Sequence, residues 1–328
     1  MFRHRNEYPV EGHLPGFDGA TAWFNGGALT PEQLRGRVVL VNFGTYTCIN
    51  WIHVLPYVRA WSDAYTERGL AVVGVQTPEF EFEGDLDDVA RALGEMDVRY
   101  PVVVDNDYAI WGAFANHYWP AFYIADADGR IRHHHFGEGG YDESEMVIRM
   151  LLGEAGAAVD QPPVHVEPEG VEAAADWSSL GSPETYVGYE RAVGFASPGG
   201  AVADAGHRYS APERLRRNEW ALSGDWRIGA VPVVLGQAGG SITFQFRARD
   251  VHLVMGPPAG RPPVRFRVRL DGQQPGVAHG VDVDEEGNGR AEYRRMYQLI
   301  RQRSPVDDRR FEIEFLDGGV EAFVFTFG

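Results

Sequence analysis

The chain has 328 residues, 44% of them hydrophobic, so it is long enough for two folded domains with sizeable cores. Its formal net charge of -17 argues against a nucleic acid or an anionic membrane as a partner, because both would require clustered positive charge. All 30 basic residues are arginine, which excludes Schiff-base and P-loop lysine chemistry, and the single cysteine excludes an intramolecular disulfide.

The chain starts with the charged segment MFRHRNEYPVEG, which has no apolar core of the kind found in signal peptides. No uninterrupted apolar stretch elsewhere is long enough to span a bilayer. We therefore predict a soluble, cytoplasmic protein with no membrane partner.

The first half of the chain alternates strand-like and helix-like segments. The apolar runs VVLVNF and LAVVGVQ predict two buried strands. Apolar residues recur at helical spacing from Ile49 to about Arg68, and DLDDVARALGEM predicts a short amphipathic helix with acidic residues in its first turn. YPVVVDND is typical of a third strand.

The next segments complete the first domain. WPAFYIADADGRIRHHHFG predicts a hairpin that turns at residues 126–129, and YDESEMVIRMLLGEAG predicts a closing helix that ends at a glycine. The resulting order β-α-β-α-β-β-α indicates an α/β layer arrangement for residues 1–156.

The composition changes after Gly156. Residues 157–176 are rich in proline, alanine and acid, and we interpret them as a linker. In residues 177–328 the segments SITFQFRARD, VRFRVRL, FEIEFLD and EAFVFTFG alternate apolar and polar residues. This period of two predicts an all-β antiparallel sandwich with one core face and one solvent face.

The only cysteine, Cys48, lies in NFGTYTCINWIH, where a strand-like run gives way to a helix-like run. In the first turn of a helix the macrodipole lowers the pKa of a thiol and populates the thiolate, which is the form that attacks disulfides and peroxides. The alternative is a buried cysteine that acts as a small hydrophobic residue without chemistry.

A second clue lies in YWPAFYI, where Pro120 opens a strand directly after Trp119. Prolines within sheets are confined to special positions. A cis bond between these two residues would bring an exposed backbone edge beside the thiol, so we expect both residues to shape the groove for a partner.

Four stretches together carry a resemblance to a known family. They are NFGTYTCINWIHVLPYVRAW, NHYWPAFYIADADGRIRHHHFGEGGYDESE, ALSGDWRIGA and AHGVDVDEEGNGRAEYRRMYQLIRQ. The chain resembles the soluble half of DipZ-type proteins, in which a CcdA-like membrane segment is joined to a thioredoxin-like domain and then to a jelly-roll sandwich like a carbohydrate-binding module. The resemblance implies a thioredoxin-like fold, with Cys48 as the attacking thiol and Pro120 as the cis-proline beside it.

The sequence departs from the family motif, typically FWTYSCINC, at two positions. Gly44 stands in the position of the tryptophan, and Trp51 replaces the second cysteine. Dithiol exchange needs a second thiolate to release the product from the mixed disulfide. We therefore predict a monothiol oxidoreductase in which Thr45 and Trp51 tune the sulfur. Its partner would be a thiol- or disulfide-bearing protein or a low-molecular-weight thiol that also resolves the intermediate.

Two other functions compete with this prediction. Thr45 precedes Cys48 by three residues, as in the T-x-x-C signature of peroxiredoxins, so a one-cysteine peroxidase is the first alternative. The second is a redox-inactive protein whose sandwich binds a glycan or peptide on aromatic surfaces. The candidate aromatic residues are Trp177, Tyr186, Tyr189, Trp220, Trp226, Tyr293 and Tyr297.

We expect no metal site and no cofactor. On a strand, His133 and His135 share one face without a carboxylate or thiol at ligand spacing, and DVDEEGNG lacks the glutamate that a calcium loop requires at position twelve. The acidic run EFEFEGDLDD is interpreted as a solvated loop that leads into a helix.

Overall fold

The computed structural model describes residues 8–328, so the first seven residues of the charged start lie outside the described part. The chain divides into two compact units, one reaching to Ala173 and the other spanning Ala174–Gly328. Within residues 8–328, no helix has both the length and the apolar character needed to cross a bilayer.

The first unit mixes strands and helices. In chain order it contains β1 (Gly12–His13), β2 (Ala22–Phe24), α1 (Pro31–Leu34), β3 (Val38–Gly44), α2 (Ile49–Tyr65), β4 (Leu70–Gln76), α3 (Leu86–Glu95), β5 (Val102–Val104), α4 (Ala109–Ala113), β6 (Ala121–Ala125), β7 (Arg130–Phe136) and α5 (Tyr141–Glu154). The predicted order from β3 to α5 is confirmed, and the short helix α4 between β5 and β6 is an addition.

Seven strands of this unit form one sheet in the order β1-β7-β6-β3-β4-β5-β2. Strands β3, β4 and β5 are parallel, whereas β6 pairs antiparallel with β3. The predicted hairpin of β6 and β7 is present, and Asp126 holds its turn by accepting hydrogen bonds from the backbone N–H groups of Asp128 and Arg130. This arrangement is the predicted α/β thioredoxin-like fold.

Strand β3 lies in the middle of the sheet and all seven of its residues are buried. Its side chains alternate between two faces. Val39, Val41 and Phe43 belong to the core cluster on one face of the sheet. Asn42 and Gly44 contact Trp51 of α2 on the other face. The alternation of β3 therefore directs two small or polar positions toward the start of α2.

The second unit is all-β. It contains β8 (Thr185–Tyr186), β9 (Gly206–Tyr209), β10 (Trp220–Ile228), β11 (Val233–Leu235), β12 (Ser241–Arg247), β13 (Asp250–Gly256), β14 (Val264–Leu270), β15 (Asn288–Ala291), β16 (Arg295–Arg301), β17 (Asp308–Phe315) and β18 (Glu321–Phe327). Every pairing between these strands is antiparallel, and the main path runs β15-β14-β17-β12-β10-β11-β18-β13-β16.

Strand β10 belongs to both halves of this path. Its first part pairs with β12, and from Gly224 onward it pairs with β9 and β11. Gly224 has φ +97°, and a Cβ there would lie 2.7 Å from the Cα of Gly240, so a larger residue does not fit this bend. The predicted alternation is confirmed on the strands, since the apolar residues of β12, β14 and β17 lie in one core cluster.

Residues 157–173, which the sequence analysis assigned to the linker, are included in the first compact unit. Arg149 of α5 donates hydrogen bonds to the carbonyl groups of Val159 and Gln161, and Arg59 of α2 forms an ion pair with Glu172 at 2.8 Å. The observed division of the chain falls between Ala173 and Ala174.

Candidate functional site

The thiol lies at the junction of β3 and α2. Cys48 is the residue directly before the first helical residue, Ile49, and its backbone is extended at φ -76° and ψ 113°. Its N–H donates to the carbonyl of Thr45 at 3.0 Å, and its carbonyl accepts from Ile52 at 3.0 Å, so a tight turn leads into the helix. The side chain is half-buried. Seventeen residues of helix therefore point their positive end at a thiol that solvent reaches.

A backbone edge from another part of the chain approaches the sulfur. The Trp119–Pro120 bond is cis, and the Trp119 carbonyl oxygen lies 4.0 Å from Cys48 Sγ. Two contacts fix the Trp119 ring: its Nε1 donates a hydrogen bond of 3.0 Å to the Thr77 carbonyl, and its ring centroid lies 4.3 Å from that of Trp111. The structure thus brings together Cys48, Trp119 and Pro120.

Trp51 is directed toward the sheet. Its side chain is only 3% exposed, and its Nε1 donates a hydrogen bond of 2.9 Å to Asn42 Oδ1 on β3. The indole also covers Gly44, where a Cβ would lie 2.0 Å from Trp51 Cδ1 and 2.1 Å from Nε1. A residue with a side chain at position 44 and the present tryptophan at position 51 cannot share this space.

The two departures from the family motif are therefore in contact with each other. The motif has a tryptophan at position 44 and a small thiol at position 51, whereas this chain has no side chain at 44 and an indole at 51. An aromatic group fills the pocket between β3 and α2 in the structure, but it comes from the helix instead of the strand. In this chain the helix supplies the aromatic group at this place, and no second thiol is present.

The Thr45 hydroxyl faces the protein interior. Thr45 is fully buried, and its Oγ1 accepts a hydrogen bond of 3.0 Å from Gln76 Nε2 at the end of β4. The Thr45 side chain also acts to lower the pKa of the Glu83 carboxyl. Thr45 thus ties the turn that holds Cys48 to the polar groups beneath it.

Glu83 is a site residue that the sequence analysis missed. It belongs to EFEFEGDLDD, and the prediction that this run is solvated is wrong for Glu83, Phe80 and Phe82, which are all buried. The prediction that the run leads into a helix is confirmed, because Asp85 caps α3 by accepting from the N–H groups of Asp87 and Asp88. The two phenylalanines, two residues apart, were the signal for burial of part of this run. The acid between them, Glu81, is exposed, so the alternation did not distinguish Glu83 from its neighbours.

A buried hydrogen-bonded pair of side chains lies near the cis peptide. His53 Nδ1 of α2 is 2.7 Å from Glu138 Oε2, and both side chains are almost fully buried. The loop of Glu138 follows β7 and is anchored to the site, because Gly137 N–H donates to the Pro120 carbonyl at 2.9 Å. The pair therefore fastens the start of α2 to the segment that carries Trp119 and Pro120.

The structure also places the residues that were considered as metal ligands. His135 Nε2 lies 3.4 Å from the Glu138 carbonyl oxygen, whereas the His133 ring contacts Tyr8. In the second unit, Asp282 pairs with Arg295 at 2.6 Å. Across residues 8–328, no three His, Cys, Asp or Glu side chains are grouped so as to hold a metal ion.

The seven candidate aromatic residues of the second unit divide into different environments. Trp220, Trp226 and Tyr297 are buried in the core, and the Tyr186 ring lies under the guanidinium of Arg191 at 3.3 Å. The Tyr293 ring centroid lies 5.9 Å from the guanidinium carbon of Arg295. Trp177 is 63% exposed and Tyr189 is 41% exposed. The structure therefore leaves these last two as the most accessible aromatic surfaces of the set.

Comparison with known proteins gives matches over both units. A family model described as the thioredoxin like C-terminal domain matches residues 182–328. Protein DipZ of Mycobacterium bovis is 37% identical over 250 residues, which are 75% of this chain and 35% of DipZ, so the chain spans about a third of the length of that relative.

Two further matches each cover less than half of the chain. The thiol-disulfide oxidoreductase YkuV of Bacillus subtilis is 34% identical over 142 residues, which are 43% of this chain and 95% of YkuV. A solution structure of a thioredoxin-like protein in the oxidized form is 33% identical, with a TM-score of 0.41, and the match covers 44% of this chain and 97% of that one.

Proposed function

Because the chain belongs to the thioredoxin-like thiol-disulfide oxidoreductase family, we propose that it exchanges disulfides through a single cysteine, Cys48. The observation that carries this proposal is the position of Sγ, half-buried before α2 and 4.0 Å from the Trp119 carbonyl oxygen. The helix dipole favours the thiolate at this position.

The exchange has two steps. The Cys48 thiolate attacks one sulfur of a partner disulfide, forms a mixed disulfide with that sulfur, and releases the other sulfur as a thiolate that takes a proton from water. A thiolate from solution then attacks the partner's sulfur in the mixed disulfide, which forms a disulfide between the external thiol and the partner and releases Cys48 as the thiolate. Since the chain has one cysteine, the second step needs an external thiol.

The surroundings of the sulfur support a role in binding the partner. Trp119 and Pro120 present a backbone carbonyl beside Sγ, and the Trp119 ring is fixed by Thr77 and Trp111. We propose that the polypeptide of a disulfide-bearing partner lies along this edge. A cytoplasmic location, where low-molecular-weight thiols are reduced, would supply the external thiol; the location itself stays a prediction.

The peroxidase alternative receives less support. It requires the Thr45 hydroxyl to orient a peroxide, but this hydroxyl is buried and accepts a hydrogen bond from Gln76. We therefore favour exchange with disulfides over reduction of peroxides.

Binding of a glycan or peptide by the second unit stays a prediction. Trp177 and Tyr189 are the residues through which it would act, because both are exposed. A glycan array probed with the full chain and with a Trp177→Ala/Tyr189→Ala variant tests it. Equal signals from the two proteins would count against these surfaces.

The test of the exchange function uses glutathione disulfide as the probe. The full chain is incubated with it at pH 7, and intact mass spectrometry measures the formation of a single adduct. We expect an adduct that forms at least about tenfold faster than on a free thiol with a pKa near 8.5 and that is released by dithiothreitol. A parallel reaction with hydrogen peroxide in place of glutathione disulfide measures the rate at which the protein consumes peroxide.

A matched control moves the thiol along the same helix. The Cys48→Ser/Asp63→Cys variant carries its one thiol on the exposed position 63 near the other end of α2. We expect it to react no faster than a free thiol, and Cys48→Ser alone to form no adduct. Adduct formation on Cys48 at the rate of the control thiol would refute the proposed function, and faster consumption of peroxide than of disulfide would favour the peroxidase.

A further inference from the structure

A carboxyl group lies buried beneath the thiol without a role in the exchange steps above. Glu83 is fully buried in the 3₁₀ turn Glu81–Gly84 that follows β4. Its Oε2 accepts hydrogen bonds from the backbone N–H groups of Glu79 at 2.6 Å and Phe80 at 2.8 Å. Its Oε1 accepts from the Thr47 hydroxyl. Such a set of donors suits an ionised carboxylate, which only accepts.

These contacts connect Glu83 to the thiol through the turn before α2. Thr47 is the residue directly before Cys48, and the Cys48 N–H donates to the carbonyl of Thr45 at 3.0 Å. Thr47, which bonds to Glu83, therefore lies within the turn that sets the position of the sulfur. Gln76 Nε2 holds the Thr45 hydroxyl from β4.

The Glu83 carboxyl changes its charge near neutral pH. Burial raises its pKa to about 7, and the charge of Glu79 adds to this, while the hydrogen bonds from Thr47, Phe80 and Thr45 oppose it. The charge also acts on Tyr108, whose pKa is raised first by burial and then by Glu83, Glu79 and Asp105. Five residues beyond the thiol on α2, His53 is paired with Glu138.

We propose that Glu83 is a positioning residue for Cys48, and that its ionisation controls the reactivity of the thiol through the turn formed by Thr45 and Thr47. This inference rests on the proposed function of Cys48. The ionised form accepts a hydrogen bond from the Thr47 hydroxyl and fixes the turn, and its negative charge opposes formation of the thiolate. The protonated form removes that charge but must donate one hydrogen bond, which changes the contacts of the turn. The two groups therefore titrate as a coupled pair.

The pH profile of Cys48 alkylation tests this coupling. The full chain is labelled with iodoacetamide from pH 5 to 10, and the rate is followed by mass spectrometry. We expect two inflections in the wild-type profile, one of them near pH 7. Glu83→Gln should show a single inflection, that of the thiol, displaced to lower pH by about half a unit or more. Half a unit is about a threefold change in the thiolate fraction. Glu81→Gln, which changes an exposed acid of the same turn, should keep the wild-type profile.

A second variant keeps the test informative if Glu83→Gln fails to fold. Thr47→Val retains the carboxyl and removes one of its donors, so the inflection near pH 7 should move to higher pH. Superimposable profiles of wild type and Glu83→Gln, or an unmoved inflection in Thr47→Val, would overturn the proposal. A failure of the proposed function has a different signature, because Cys48 would then be labelled slowly at every pH in all four proteins.

Discussion

The contact between Gly44 and Trp51 leads to a prediction of strong coupling between the two positions. Alanine at position 44 places a Cβ 2.0 Å from Trp51 Cδ1, so the indole has to move by about 1.4 Å to restore ordinary contact. Overpacking of this kind costs about 1–3 kcal/mol in the free energy of unfolding. We therefore expect Gly44→Ala to be destabilising in the wild-type background.

The same substitution should have the opposite effect when the indole is absent. Trp51→Ala alone should cost about 3–5 kcal/mol, because Trp51 is 3% exposed and its loss leaves a cavity and an unpaired Asn42 oxygen. In that background the Cβ at position 44 meets no indole, and alanine replaces a glycine that is unfavourable within a strand by about 0.5–1 kcal/mol. The double-mutant cycle should give a coupling energy of about 2–4 kcal/mol.

The measurement is urea unfolding of the full chain, followed by circular dichroism and by hydrogen exchange of the β3 amides, which reports on the first unit. The control cycle pairs Trp51→Ala with Gly94→Ala, since Gly94 of α3 has open space around its Cβ position. That cycle should be additive. A coupling energy below about 0.5 kcal/mol between positions 44 and 51 would refute the reasoning that one indole fills the space of both.

Three further predictions concern activity, pH and the second unit. The double variant Trp51→Cys/Gly44→Trp should gain turnover in insulin disulfide reduction, because it restores the second thiol and refills the pocket. Its gain should exceed that of Trp51→Cys alone. No gain in a folded double variant would mean that the site lacks more than a sulfur. The folded state binds the Glu83 proton more tightly than the unfolded state, so this group should lower the free energy of unfolding by about 3 kcal/mol as the pH rises from 4.5 to about 7. In urea titrations at several pH values, Glu83→Gln should lose this part of the dependence of the unfolding free energy on pH. An unchanged pH dependence would contradict the prediction. In the second unit, Gly224→Ala should lower the free energy of unfolding by more than Gly239→Ala does. Both glycines have a positive φ, but only Gly224 is crowded by Gly240. Equal losses in the two variants would show that the backbone conformation alone decides the cost.

Local patterns in the sequence were sufficient to predict an α/β first unit and an all-β second unit, whereas the thioredoxin-like fold was implied by the family resemblance. Continuous apolar runs predicted the buried strands β3 and β4, and alternation predicted the strands of the second unit, because side-chain periodicity depends on the backbone geometry of each element alone. The position of Cys48 between a strand and a helix also followed from its neighbours.

The contacts that make the site were decided only by the tertiary structure. The sulfur and the Trp119 carbonyl are 71 residues apart in sequence, and Thr47 and Glu83 are 36 apart. An acidic residue in an alternating run has the same local signal whether it is solvated or buried, since its burial depends on donors that other elements supply. The sequence by itself determined that a second thiol is missing. Only the packing of α2 on β3 decided that the Trp51 indole occupies the space above Gly44, because two elements must dock before their side chains can compete for one volume.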